Sequence, residues 1–127
     1  MTETVAAIVA AHRAGILSPA QTVARSYLRI RNSNDPAVFI SLRDEKESIA
    51  EADSLQPRDA KDLPLFGVPV AVKDNIDVLG MPTTAGCPAF SYRPSHDATS
   101  VARLRRAGAI IIGKTNLDQF ATGRSAS

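Results

Sequence analysis

Lys73 is the residue best placed to do chemistry. It follows the short apolar run Val68-Pro69-Val70-Ala71-Val72 and precedes a stretch rich in glycine, proline and threonine. Ligand sites in open α/β sheets gather beyond the carboxyl ends of strands, so a lysine at such an end suits a general base. An ordinary lysine, with a pKa of about 10.4, must drop by roughly three units to work near neutrality. That requires roughly 4–5 kcal/mol of desolvation or like-charge repulsion. The alternative is structural, an ion pair with Asp74 or Asp77. Position alone leaves both open.

Three other groups invite a chemical reading. Residues 108–115, GAIIIGKT, match the phosphate-loop pattern G-x-x-x-x-G-K-[ST], with Lys114 as its lysine. A true phosphate loop follows a strand and opens a helix. Here a helical segment precedes Gly108, and Ile110-Ile111-Ile112 suits a buried strand better than an anion nest. The expected reading is therefore helix stop, strand, strand exit, without nucleotide binding. Cys87 and His96 could suggest a thiol nucleophile, but no activating cue accompanies them. Ser125, in Gly123-Arg124-Ser125-Ala126-Ser127, lacks the preceding strand of a nucleophile elbow. His12 reads as a helix-face residue.

The elements that must position these groups follow from periodicity and caps. Val5, Ile8, Val9 and His12 have helical spacing, with Gly15 as the stop. Ser18, Pro19 and Gln21 predict a capping box at the start of a second helix, with Val23, Tyr27 and Ile30 on one face. That helix ends by Asn34-Asp35-Pro36. Asp44 to Leu55 predicts a third, charged helix, followed by a polar connection over 56–64. The run 68–72 predicts a strand covered on both faces, with Pro69 arguing for an edge position or the strand's first residues. Residues 74–96 predict a long functional loop. Asp97 is expected to cap a helix through Ala107, and Ala109 to Ile112 to form a second buried strand. Strand, helix, strand implies a parallel pair with a right-handed crossover.

Composition limits the function classes. The chain has 127 residues, 44% apolar and 22% charged, which is globular in character. A net charge of +2 gives no footprint for a nucleic-acid partner. No apolar run approaches the roughly 20 residues of a membrane span, and the N-terminus lacks the basic start of a secretory signal. One cysteine excludes an internal disulfide, so a reducing, cytoplasmic setting is expected.

Residues 64–123 together resemble the amidase signature family. The resemblance is carried by Pro64-Leu65-Phe66-Gly67-Val68-Pro69-Val70-Ala71-Val72-Lys73-Asp74-Asn75-Ile76-Asp77 and by Gly80-Met81-Pro82-Thr83-Thr84-Ala85-Gly86-Cys87-Pro88-Ala89-Phe90. It continues through Asp97-Ala98-Thr99, Arg106-Ala107-Gly108-Ala109 and Gly113-Lys114-Thr115-Asn116-Leu117-Asp118-Gln119-Phe120-Ala121-Thr122-Gly123. It covers about half the chain. Cys-Pro-Ala-Phe and Asn-Leu-Asp-Gln-Phe-Ala-Thr-Gly look most like the allophanate hydrolase branch.

The resemblance implies an α/β fold, a mixed β-sheet flanked by helices. Residues 1–63 would form an N-terminal helical segment, and 64–127 the start of the amidase signature core, incomplete. It implies a Ser–cis-Ser–Lys mechanism in which Lys73 matches the family lysine. Unprotonated, that lysine takes a proton from a bridging serine, which deprotonates the nucleophilic serine. The implied substrate is a small amide, allophanate, hydrolysed to ammonia and CO2, with no cofactor, no metal, no nucleic acid and no membrane. An activity like that of the glutamine-hydrolysing subunit of the glutamyl-tRNA amidotransferase, or another amidase activity, is the family alternative. A non-catalytic fragment or interaction module is the alternative of another class. The family's serines lie in a Gly-Gly-Ser-Ser-Gly-Gly-Ser type of segment, and this sequence has no Gly-Gly and no Ser-Ser pair. The expectation is a truncated N-terminal part of an amidase, inactive alone.

Overall fold

The computed structural model describes residues 4–33, 39–55, 57–83 and 92–115. Helix α1 (Val5–Arg13) is capped by Thr4, whose Oγ1 accepts from Ala7 N. Helix α2 (Pro19–Arg31) opens on the expected box. Gln21 N donates to Ser18 Oγ at 3.1 Å, and Ser18 N donates to Gln21 Oε1 at 2.9 Å. Pro19 sits where a helix has no use for a backbone donor. Helix α3 (Glu45–Asp53) is capped by the Asp44 carboxylate, which accepts from Glu47 N. A 3-10 helix (Pro57–Asp62) occupies most of the polar connection.

Three strands make one sheet: β1 (Phe39–Leu42), β2 (Pro69–Lys73) and β3 (Ile110–Thr115), in the order β1-β3-β2. β2 and β3 are parallel, joined through helix α4 (Thr99–Arg106), as the strand-helix-strand pattern requires. β1 pairs antiparallel with β3. It adds a strand to a part of the chain expected to be helical. Its four residues are too short to alternate visibly, and they are extended because β3 offers them a ladder.

β3 is buried on both faces. Ile110 and Ile112 pack with Val23, Tyr27 and Ala52 from α2 and α3. Ile111 packs with Val72, Val78, Met81 and Val101 on the opposite face. β2 departs from the expectation of cover on both sides. Val72 is buried, but Ala71 and Lys73 are exposed among the described residues. Pro69 begins this edge strand, where its missing donor costs no ladder bond.

Asp97 does not cap α4, whose N-cap is Ala98 with no side-chain cap bond. The Asp97 carboxylate instead accepts from Leu79 N at 2.7 Å and pairs with Arg105 Nε at 2.9 Å. A charged partner further along the helix and a loop amide outcompete the local cap.

The segment leading into β2 is locked to the helical layer. His12 Nδ1 donates to Phe66 O at 2.6 Å, and its Nε2 shares a 2.6 Å hydrogen bond with Thr22 Oγ1. His12 is thus a buried tie among α1, α2 and the residues before β2. Next to it Gly67 adopts φ +75°, and a Cβ there would lie 2.7 Å from the Pro19 ring. Gly67→Ala is expected to lower stability by about 1–3 kcal/mol, the range for a strained backbone, read by urea unfolding. A loss below about 0.5 kcal/mol, the scale of an ordinary surface change, would show that the α1–α2 corner yields.

Candidate active site

The carboxyl end of the parallel pair carries two lysines that point in different directions. The register explains why. Val70 pairs with Ile111, but Ala71 pairs with Gly113, so Ile112 is an extra residue in β3 opposite β2. Such a bulge re-aims every side chain after it. Without it, Lys114 would share a face with Ile110 and Ile112. With it, Lys114 pairs with Val72 and joins that face, while Lys73 pairs with Thr115 on the other. Gly113 sits under β1, where a Cβ would meet Ser41 O at 2.9 Å.

Lys114 is fully buried, and so is Asp74. Lys114 Nζ lies 3.7 Å from Asp74 Oδ1 and donates to Pro82 O at 3.3 Å. Burial holds the Lys114 ammonium below the ordinary lysine range, with Asp74 pulling in the opposite direction. The main chain reinforces the junction, since Asp74 N donates to Thr115 O at 3.0 Å.

Lys73 is the last residue of β2 and is exposed. Neither carboxylate that could have made it a structural ion pair is directed to it. Asp74 faces Lys114. Asp77 accepts from Thr83 Oγ1 at 2.8 Å and from the Tyr92 hydroxyl at 2.6 Å. The Tyr92 bond, then the Thr83 bond, hold the Asp77 carboxyl below its usual range, and the bond to Asp77 pushes the Tyr92 hydroxyl up. The same contacts join Asp77 and Thr83 to Tyr92, with a bridge between Thr83 and Tyr92. Among the described residues Lys73 has no ion pair.

GAIIIGKT is not a phosphate loop. Gly108 follows α4, the isoleucines are β3, and Lys114 is spent on Asp74 and Pro82. The burial and pairing of Lys114 left no sequence signal apart from that short motif. His96 is exposed, with Nδ1 3.0 Å from Ser95 Oγ. Cys87 and Ser125 lie outside the described residues. A cleft of about 350 Å³ is lined by Arg43, Leu79, Met81, Asp97 and Arg105 but does not include Lys73. Both its arginines are ion-paired, Arg43 with Glu51 and Arg105 with Asp97. No cluster of metal ligands occurs among the described residues, and none of their helices is long and apolar enough to cross a membrane.

The family model described as Amidase matches residues 21–127. The chain belongs to the amidase family. The urea amidolyase of Saccharomyces cerevisiae is 59% identical over 86 residues, covering 67% of this chain and 5% of that protein. A glutamyl-tRNA(Gln) amidotransferase subunit of Thermus thermophilus is 42% identical over 112 residues, covering 87% of this chain and 23% of that protein. The structure of Kluyveromyces lactis allophanate hydrolase superposes with a TM-score of 0.74 at 37% identity, covering 94% of this chain and 20% of that one. This amidase-family chain therefore spans less than a quarter of the curated relatives named here, and its three-stranded sheet with flanking helices is a part of the fold they share.

Proposed function

We propose that this chain carries the base of an allophanate-hydrolysing amidase, and that Lys73 is that base. One observation carries the residue assignment. Lys73 ends β2 at the carboxyl end of the parallel pair, where its two nearest carboxylates in sequence have other partners. Identity to a urea amidolyase and likeness to an allophanate hydrolase support the substrate. In this reading an unprotonated Lys73 accepts a proton from a bridging serine, which in turn deprotonates the nucleophilic serine. The nucleophile attacks the amide carbonyl, ammonia leaves, and water releases the acyl group. Both serines belong to a Gly- and Ser-rich segment that is absent from these 127 residues. Cytoplasmic residence is part of the same reading, supported by the single cysteine. A second reading, glutamine hydrolysis for an amidotransferase, is favoured by the longer but weaker match to the amidotransferase of Thermus thermophilus.

Ammonia release separates the two. The 127-residue chain alone is expected to release none from allophanate, glutamine or a simple amide, because the base has no nucleophile to activate. A polypeptide in which this chain continues into a Gly- and Ser-rich nucleophile segment is expected to prefer allophanate over glutamine. Glutamine preference would overturn the substrate assignment, and Lys73-dependent turnover by the 127 residues alone would overturn the proposed division of roles.

A further inference from the structure

β2 turns the backbone groups of alternate residues to opposite sides. Ile110 N donates to Val68 O at 2.8 Å, and Asp74 N donates to Thr115 O at 3.0 Å. Val70 and Val72, between them, therefore also direct their N–H and C=O groups to β3, while Pro69, Ala71 and Lys73 direct theirs away from it. No strand of the described residues lies on that side. Pro69 has no N–H to offer, and Lys73 O already accepts from Ile76 N at 3.0 Å. What remains along this edge is Pro69 O, the N–H and C=O of Ala71, and Lys73 N–H.

Proline and lysine are residues that ordinarily blunt a strand edge. Here they leave one register open. If the edge meets a copy of itself antiparallel, with Ala71 opposite Ala71, the two alanines exchange both N–H···O bonds. Each Lys73 N–H then meets the Pro69 O of the other copy. The donor that Pro69 lacks falls opposite the Lys73 carbonyl that Ile76 N has already taken, so no group along the pairing goes unmet. A shift by two residues either way halves the bonds, because Ala71 then meets the missing donor or the occupied carbonyl. The same register sets Val70 beside Val72 of the copy, a β-branched cross-strand pair, and Lys73 beside Pro69, so no like charges lie directly opposite.

We propose that the 127-residue chain associates as a two-fold dimer through β2, antiparallel about Ala71, joining its sheet to that of a second copy. The contact uses one surface on both copies, so it closes at two chains. The partner is a second copy because the gaps of this edge match its own occupied groups. A strand of unrelated sequence would leave its N–H unmet opposite Lys73 and its C=O unmet opposite Pro69. The proposal uses the backbone N–H of Lys73 and does not rest on its side chain being a base.

The test is sedimentation equilibrium of the 127-residue chain from micromolar to millimolar concentration, with amide hydrogen exchange read by NMR on the same samples. A reversible monomer–dimer equilibrium is expected. Exchange at the Ala71 and Lys73 amides should slow as the dimer forms, while Val70 and Val72 are protected by β3 at every concentration. Ala71→Pro removes a donor that faces away from β3, so it should keep the far-UV circular dichroism of the wild type. It is expected to weaken the dimer by about tenfold or more, one bond being lost from each copy. Should Ala71→Pro fail to fold, Ala71→Asp decides. The side chain at 71 is exposed, and two carboxylates facing each other across the axis should weaken the dimer, less so at high salt. A chain that stays monomeric at millimolar concentration would overturn the proposal, as would assembly running past two chains. So would a dimer of undiminished strength in either folded variant. Protection of the Ala71 and Lys73 amides in the monomer would also overturn it, and would give this edge to another segment of the same chain.

Discussion

In a polypeptide that carries this chain together with its nucleophile segment, Lys73→Ala is expected to lower kcat by about 10⁴ or more while leaving thermal unfolding unchanged. Proton transfer by a positioned side chain typically contributes about 10²–10⁴-fold, and the effect grows when the transfer enables a covalent step. Lys73 is the last residue of β2 and belongs to neither apolar cluster of the sheet, so its side chain adds little to this core, and changes away from a core usually stay within about 0.5 kcal/mol. Lys73→Arg is the decisive partner. Arginine keeps the positive charge but cannot release its proton near neutrality, so a base fails with arginine nearly as badly as with alanine. An ion-pairing lysine would tolerate arginine well. The wild-type pH–rate profile should rise as the lysine loses its proton, and neither variant should show that limb. Near-normal turnover by Lys73→Arg would make Lys73 structural and end the catalytic assignment.

The placement of Lys73 was legible because two local signals agree. A β-branched apolar run gives the strand, and the Gly- and Pro-rich stretch gives the exit. The α2 start was equally legible, since the Ser18/Gln21 box is satisfied by contacts three residues apart. What escaped depends on distant partners. β1 exists because β3 pairs with it. Asp97 was drawn from the helix end by Arg105 and Leu79 N. The buried pairing of Lys114 with Asp74 depends on one extra residue in β3, and a bulge at Ile112 has no signature in a run of three isoleucines. The cover expected over both faces of 68–72 followed from apolarity alone, which cannot say which elements supply it.

Asp74→Ala is expected to cost this chain about 3–5 kcal/mol at neutral pH, the penalty for stranding one partner of a buried ion pair. The stranded group is Lys114, with no exposure and only Pro82 O left from its two contacts. Its pH dependence identifies the cause. Burial already holds Lys114 below the ordinary lysine value in the wild type. Between that lowered value and about 10.4 the unfolded chain binds more protons than the folded one, so stability rises with pH across the window. Removing Asp74 removes the attraction that opposed the drop, so the window widens toward neutrality and the rise is larger in the variant. The deficit of Asp74→Ala against wild type should therefore shrink between about pH 7 and pH 10 in urea unfolding. The double change Asp74→Leu with Lys114→Met removes both charges at similar volume, and it should lie much closer to wild type than Asp74→Ala near neutral pH. A deficit that is the same at both pH values would trace the loss to the cavity left by the missing carboxylate rather than to the stranded ammonium. In that case the Asp74–Lys114 pair would matter to this fold for its shape and not for its charge.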